Sequence, residues 1–228
     1  RALARPHRRH RRPAPRATPA VTRFRAVLFD LGGVVFDSPL DGFARYEAEV
    51  GLPANFLRTL NATNSDDNAW ARFERGQLDR DAFVVAFEAE ALAAGQRLSG
   101  LQVLEALKGD VRPAMVEALH RIRAAEIRTA AVTNNIAPMA SGERDVSELL
   151  GLFDVVVESS VVGVRKPEEA FYRIALDALG VAAHECVYLD DLGVNLKPAR
   201  ALGMTTIKVH GADTALAELE DHLGLPLR

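Results

Sequence analysis

From residue 113 onward, short apolar segments alternate with segments of helical pattern, and this alternation constrains the fold more than any other feature. Apolar stretches with strand character lie at 129–133, 154–158, 186–189 and 205–209, with helix-like patterns between them. Strands that alternate with helices require parallel pairing and crossover helices. The sequence therefore predicts an α/β fold with a doubly wound, Rossmann-like parallel sheet.

One further strand comes earlier, and a long helical segment separates it from the others. Residues 24–35 read FRAVLFDLGGVV, in which an apolar run ends at Asp30. Helix-like patterns then follow at 41–50, 66–75, 79–94 and 99–107, without any strand alternation. We therefore expect residues 37–112 to form an all-helical cap inserted into an α/β core made of residues 22–36 and 113–228.

The amino-terminal segment differs in composition from the rest of the chain. Residues 1–25 hold nine of the 28 basic residues and no acidic residue, which leaves 19 basic against 31 acidic residues in the remainder. An acidic body argues against a core that binds nucleic acid. Residues 1–21 are rich in Arg, Pro and Ala, and we expect them to be a disordered tail outside the fold. This composition also occurs in transit peptides and nucleic-acid-binding arms, although a non-functional extension is the favoured interpretation.

Neither a membrane span nor a disulfide framework is indicated. No run of about 18 apolar residues occurs, and the tail lacks the apolar stretch of a secretory signal. The single cysteine, Cys186, lies in an apolar segment and fits a reducing compartment. We expect a cytoplasmic protein, and the sequence leaves its oligomeric state open.

Polar side chains stand where three of the predicted strands end. They are Asp30 on the first strand, Thr133 and Asn134 on the second, and Asp190 and Asp191 on the fourth. The carboxyl ends of parallel strands lie along one edge of a sheet, and Lys166, in the loop before a helix, can reach the same edge. Carboxylates beside one ammonium suit a hard divalent cation, above all Mg²⁺. A metal ion and a lysine together suit a doubly negative phosphoryl group.

The order of these motifs resembles the haloacid dehalogenase superfamily. Asp30, Thr133, Lys166 and the pair Asp190/Asp191 match its four motifs in order, and the helical insert looks like its type 1 cap. The segments FERGQL, TNN, GVRKPEEAFY and YLDDLGVNLKPARALGM are also similar to the amino-terminal phosphatase domain of soluble epoxide hydrolases and its bacterial relatives.

The resemblance implies a role for each matching residue. Asp30 would be the nucleophile that takes the phosphoryl group of a small phosphorylated substrate. Lys166 would neutralise the negative charges of Asp30 and of the phosphoryl group. The substrate would be bound by Thr133, Asn134 and Gly33. Mg²⁺ would be held by Asp30, the Gly32 carbonyl and Asp191. Asp190 and Asn195 would support the loop and the metal site.

Gly32 departs from the pattern of the superfamily. Phosphatases of this group carry Asp-x-Asp, whereas this chain has Asp30-Leu31-Gly32 and so lacks the acid that protonates the leaving group. Loss of a general acid typically costs about 10²–10⁴ in rate. Lipid or sugar alkoxides would be affected most, and aryl or acyl phosphates least. Asp37, seven residues after Asp30, is a weak substitute.

Three functions therefore stay open. The leading hypothesis is Mg²⁺-dependent hydrolysis of phosphoryl esters, with weak or leaving-group-restricted activity. The second is a catalytically impaired pseudo-phosphatase that binds a phosphorylated ligand or a partner. The third is a 2-haloacid dehalogenase, in which Asp30 would displace halide, although the Asp-Asp metal pair is atypical of that group. In the cap, Trp70, Phe73, Phe83 and Phe87 could line an apolar pocket, but packing in the cap core is expected for each.

Overall fold

The computed structural model describes residues 23–134 and 144–228, and the predicted tail lies outside these ranges. In the described part of the chain, five parallel strands form one sheet in the order β3-β2-β1-β4-β5. The strands are β1 (Ala26–Phe29), β2 (Arg128–Thr133), β3 (Val155–Glu158), β4 (Cys186–Asp190) and β5 (Thr205–Lys208). The predicted doubly wound parallel sheet is confirmed.

The first strand lies at the centre of the sheet, and all four of its residues are buried and apolar. Its side chains alternate between two apolar clusters, with Val27 and Phe29 on one face and Ala26 and Leu28 on the other. Strands covered on both faces read as continuous apolar runs, as this one does. Phe29 is in register with Ala131 on β2 and with Leu189 on β4, so the strand ends meet at one edge.

Helices connect the strands and also form the insert. The helices between β1 and β2 are α1 (Pro39–Val50), α2 (Phe56–Ala62), α3 (Ala69–Glu74), α4 (Arg80–Ala93), α5 (Gly100–Ala106) and α6 (Pro113–Ala124). The later helices are α7 (Arg144–Leu150), α8 (Ser159–Val162), α9 (Glu169–Leu179), a 3₁₀ turn (Ala183–Glu185), α10 (Gly193–Ala201) and α11 (Ala212–Leu223). Helix α2 was not predicted from the sequence pattern. No helix among the described residues is long and apolar enough to cross a membrane.

The helical insert, defined here as residues 37–112, has an apolar core of its own. Phe73, Phe83 and Phe87 are fully buried in it and stack on one another, whereas Trp70 is only partly buried. The expectation of packing in the cap core is confirmed for the three phenylalanines.

The insert leaves and re-enters the α/β core at one place. The Asp37 N–H donates to the Asp110 carbonyl at 3.0 Å, and the Arg112 N–H donates to the Val35 carbonyl at 2.8 Å. These two connections run beside each other, so the insert is anchored next to the carboxyl end of β1.

Candidate active site

Asp30 stands at the carboxyl end of the central strand, and only 7% of the residue is exposed. The Leu31 N–H donates to its Oδ1 at 2.7 Å, and Lys166 Nζ lies 2.8 Å from the same oxygen. No described residue donates to Oδ2. Burial raises the pKa of Asp30 well above its usual value, although Lys166 opposes this. The nearby carboxylates of Asp190 and Asp191 raise the pKa further.

Lys166 lies between two carboxylates, and its side chain is 1% exposed. Its Nζ is 2.8 Å from Asp30 Oδ1 and 3.0 Å from Asp190 Oδ2. Burial alone would lower the pKa of Lys166, but attraction to Asp30 and Asp190 outweighs it, so the pKa lies above its usual value. The site therefore contains a fixed ammonium beside the carboxylate of Asp30.

Asp190 is fully buried, and both of its oxygens accept hydrogen bonds from within the protein. Oδ1 accepts from the Leu192 N–H at 2.7 Å, and Oδ2 accepts from the Tyr188 hydroxyl and from Lys166. Asn195 Nδ2 lies 3.1 Å from each oxygen. These contacts connect Asp190 to Lys166 and to the start of α10, and they engage both of its oxygens.

Asp191 faces the turn Leu31–Val35 that follows β1. Its Oδ2 accepts from the Ser38 hydroxyl at 3.3 Å. Gly33 has a φ of 75°, and a Cβ added there would lie 2.2 Å from Asp191 Oδ2. Oxygens of Asp30, Asp190 and Asp191 lie within 4.8 Å of one another. Burial and the charge of Asp190 raise the pKa of Asp191, so the site is an acidic cluster with mutual repulsion.

Gly32 has a backbone that any residue could adopt, with φ −65° and ψ 129°. A Cβ at this position would lie 3.0 Å from Pro39 Cγ and 3.2 Å from Pro39 Cδ. A side chain at Gly32 would thus be in tight contact with the proline ring at the start of α1, which would have to shift slightly to admit it.

Thr133 and Asn134 stand at the end of β2, as the sequence predicts. The side chain of Asn134 makes two bonds to the backbone of Lys166: its Oδ1 accepts from the Lys166 N–H at 2.8 Å, and its Nδ2 donates to the Lys166 carbonyl at 3.0 Å. Sequence reasoning gave Asn134 only a phosphoryl-binding amide. The structure adds that its side chain holds the segment that carries Lys166.

A cleft of about 390 Å³ lies over these residues, between the sheet edge and the insert. Asp30, Gly32, Thr133, Asn134, Lys166, Asp191 and Asn195 line it from the core. The insert contributes an apolar wall of Leu40, Phe43, Trp70 and Leu107, and the polar residues Arg58 and Asn61 of α2.

Three residues that the sequence analysis singled out do not line this cleft. Asp190 is fully buried below the cleft and makes the hydrogen bonds described above. Asp37 is half exposed and pairs with Arg112 at 3.5 Å, so its carboxylate is engaged at the base of the insert. Gly33 also falls outside the lining residues, although Arg112 Nη1 holds its carbonyl at 2.7 Å.

Glu74 is a site residue that sequence reasoning missed. It lines the cleft from α3, accepts from Trp70 Nε1 at 3.1 Å and pairs with Arg165. Burial raises the pKa of Glu74, and Arg165 opposes this rise. The segment FERGQL was a recognisable signal, but it carries no chemistry until the fold brings it to Arg165.

A comparison with protein families matches residues 24–203 to the haloacid dehalogenase-like hydrolases. The chain belongs to this family. Among solved structures, a HAD family enzyme of Bacteroides thetaiotaomicron in complex with magnesium and inorganic phosphate superposes with a TM-score of 0.57 at 16% identity, over 82% of this chain and 96% of that one. A predicted HAD-like hydrolase of Porphyromonas gingivalis gives 0.61 at 20% identity, over 86% and 98%. At these identities the likeness shows the fold.

Curated relatives of this HAD-like hydrolase include larger proteins and a phosphatase of similar length. The chain is 35% identical over 209 residues to mouse acyl-CoA dehydrogenase family member 10 and 32% identical over 219 residues to pig bifunctional epoxide hydrolase 2. These matches cover 90% and 89% of the chain, but only 20% and 39% of the relatives. Sesquiterpene phosphatase astK of Aspergillus oryzae is 28% identical, with 89% of this chain and 98% of that protein covered. Similarity to the phosphatase part of epoxide hydrolase 2 agrees with the resemblance read from the sequence.

Proposed function

We propose that the chain hydrolyses small phosphomonoesters through a phosphoryl group carried on Asp30. The observation that carries this proposal is the buried contact of 2.8 Å between Lys166 Nζ and Asp30 Oδ1 at the base of the cleft. It engages Oδ1, whereas no described residue donates a hydrogen bond to Asp30 Oδ2. The phosphatases among the relatives support this function over the ligand-binding module.

The chain's own residues account for two displacement steps. In the first, an Asp30 oxygen forms a bond to phosphorus, the bond to the leaving oxygen breaks, and its electron pair departs with that oxygen. In the second, water attacks the phosphorus of the aspartyl-phosphate, the bond to Asp30 breaks, and its electron pair restores the carboxylate. Both protons of the water leave on the product as dihydrogen phosphate, which then titrates in solvent. Lys166 offsets the negative charge that gathers around phosphorus in both steps.

The oxygen-rich cluster fits a divalent cation. Carboxylate oxygens and a backbone carbonyl are the ligands that Mg²⁺ prefers, and the close carboxylates of Asp30 and Asp191 repel each other until a cation joins them. Asp30, Asp191 and the Gly32 carbonyl would hold Mg²⁺. The ion would supply positive charge to the phosphoryl oxygens. Asp190, whose oxygens are engaged, supports Lys166 and Asn195.

The leaving group is restricted by Gly32 and by the wall of the cleft. No acid stands at Gly32, so leaving groups that depart without protonation are favoured. Leu40, Phe43 and Trp70 offer an apolar surface to that group. An aryl or acyl phosphate with an apolar body meets both conditions.

Phosphate release from p-nitrophenyl phosphate and acetyl phosphate, with Mg²⁺, tests the proposal. We expect turnover by the wild type, its abolition in Asp30→Asn, and a loss of about 10²–10³ in kcat in Lys166→Met. Lys197→Met, a change at an exposed lysine on α10, serves as the control and should leave kcat unchanged. Absence of turnover in the wild type, with inorganic phosphate still bound in calorimetry, would identify a ligand-binding module instead.

A further inference from the structure

Two adjacent residues of the insert form ion pairs of opposite polarity with the segment around Lys166. Glu74 at the end of α3 pairs with Arg165, and Arg75 Nη2 lies 2.8 Å from Glu168 Oε1. Arg75 Nε donates to the same oxygen at 3.0 Å. The side chains of Glu74 and Arg165 are at most 14% exposed, so their pair is largely removed from solvent screening. In the second pair Arg75 is 15% exposed and Glu168 is 37% exposed.

The partners on the core side of these two pairs, Arg165 and Glu168, flank Lys166 in the chain and close a tight turn around it. The Glu168 N–H donates to the Arg165 carbonyl at 2.8 Å, and the Arg165 N–H lies 3.4 Å from Glu168 Oε1. The oxygen that receives Arg75 is therefore the same oxygen that closes this turn. Arg75 is thereby connected to the backbone on both sides of Lys166.

The same helix also reaches the second support of Lys166. Asn134, whose side chain binds the Lys166 backbone, lies 3.4 Å from Glu74 Oε2 through its Nδ2. A Cβ on Gly76 would lie 2.4 Å from the Ser160 carbonyl, so the chain after α3 approaches the core backbone too closely for a side chain. The last residues of α3 and the residues just after it thus contact both the segment that carries Lys166 and helix α8.

We propose that Glu74 and Arg75 are positioning residues for Lys166, so that the insert sets the distance between the lysine ammonium and Asp30 as well as walling the cleft. This inference rests on the proposed function for its catalytic consequence. Its geometric part, the fixation of Lys166 by the insert, is independent of turnover. Neither residue touches Asp30; both act through Arg165, Glu168 and Asn134.

The charge-reversal pair Arg75→Glu and Arg75→Glu/Glu168→Arg tests the proposal. The single variant places two carboxylates together, whereas the double variant restores an ion pair with its polarity exchanged. Both lose the hydrogen bond from Arg75 to the Asp66 carbonyl. The double variant also loses the 3.4 Å contact from the Arg165 N–H to Glu168 Oε1, so Glu168→Arg alone is measured beside it and the ion pair is read from the double-mutant cycle. Arg173→Glu is the matched control, because Arg173 pairs with Glu169 at 2.6 Å on the exposed face of α9 and does not reach the insert.

The first readout is kcat against KM for p-nitrophenyl phosphate. Misplacement by about 1 Å can cost roughly 10²-fold in rate. We expect Arg75→Glu to lower kcat 10- to 100-fold with KM changed less than threefold, and the double variant to recover to within threefold of wild type. A lower melting temperature with unchanged kcat would show a structural role only and would overturn the proposal. Glu74→Gln provides a second, milder variant if Arg75→Glu does not fold.

The second readout is acylation of lysines by acetic anhydride, measured by mass spectrometry. The chain has four lysines, of which Lys108, Lys197 and Lys208 are on the surface or partly exposed and serve as internal references. We expect Lys166 to be protected in the wild type and in Arg173→Glu, to react at least tenfold faster in Arg75→Glu, and to be protected again in the double variant. Unchanged protection in Arg75→Glu would refute the inference even if the enzyme is active. If neither the wild type nor any variant hydrolyses p-nitrophenyl phosphate, the proposed function fails. The acylation readout then still decides whether the insert fixes Lys166.

Discussion

Gly33 combines a left-handed backbone with contact to a charged group. Its φ is 75°, and an added Cβ would lie 2.2 Å from Asp191 Oδ2. In Gly33→Ala we expect a loss of about 1–3 kcal/mol in unfolding free energy from the strained backbone, and at least a tenfold loss of Mg²⁺ affinity, because the Asp191 carboxylate must move. Gly163→Ala is the control, since Gly163 has the same φ of 75° with no atom near its Cβ position. Equal Mg²⁺ affinity in the two variants, by calorimetry, would contradict this account.

Gly32 differs from Gly33 because its backbone permits a side chain and only Pro39 stands in the way. A Cβ there would lie 3.0 Å from Pro39 Cγ. We expect Gly32→Asp to raise kcat/KM for alkyl phosphates while p-nitrophenyl phosphate changes little, because only the former need protonation. Gly32→Asp/Pro39→Ala should raise it about tenfold further by freeing space, with Pro39→Ala alone as the control. An equal gain on both classes of substrate would exclude a restored general acid.

At the level of elements, α2 shows how a helix can lack a local signal. The N-cap residue before it, Asn55, has a φ of 64°, and its side chain makes no capping hydrogen bond. Glu47 on α1 supplies the missing acceptors instead: its Oε2 accepts from the Asn55 N–H and its Oε1 from the Leu57 N–H, both at 2.8 Å. A cap delivered from another helix is visible only after the helices pack.

This capping by Glu47 leads to a prediction for substrate binding. We expect Glu47→Ala to lower the unfolding free energy by about 1–3 kcal/mol, because the buried N–H of Leu57 and the N–H of Asn55 lose their acceptor. KM should also rise, since α2 carries Arg58 and Asn61 into the cleft. Glu49→Ala, at an exposed position of the same helix, should stay within about 0.5 kcal/mol of wild type. Chemical denaturation and steady-state kinetics measure both effects, and equal stability of the two variants would disprove the capping role.

Sequence reasoning reached the sheet and the residues at its strand ends because both depend on local pattern. The apolar run of β1 and the parallel register suffice to bring Asp30, Thr133 and Asp190 to one edge. The pairing of Glu74 with Arg165 and the position of Pro39 over Gly32 depend on how the insert packs on the core. Those contacts join residues far apart in the chain, and no spacing rule predicts them.

At the scale of the whole molecule, the acidic cluster of Asp30, Asp190 and Asp191 makes the free energy of unfolding depend on pH. Burial and mutual repulsion raise the pKa values of Asp30 and Asp191 in the folded state, so the unfolded chain releases these protons at lower pH. Without metal, this contribution to stability is fully present below the unfolded value of about 4 and is lost as pH rises through the folded pKa. Mg²⁺ bound at the proposed site would compete with those protons, so we expect its stabilising effect to grow with pH.

We therefore expect Mg²⁺ to raise the melting temperature more at pH 8 than at pH 5. At about 100 times its dissociation constant, a ligand that binds only the folded state adds ~2.7 kcal/mol, or roughly 5–10 °C for a chain of this size. Asp191→Asn should remove most of the shift because it deletes one ligand, whereas Asp177→Asn, on α9 and away from the cluster, should preserve it. Differential scanning calorimetry with Mg²⁺ and with EDTA measures the shift. An Mg²⁺ shift that is equal at both pH values, or that persists in Asp191→Asn, would mean that the ion stabilises the protein somewhere other than at this cluster.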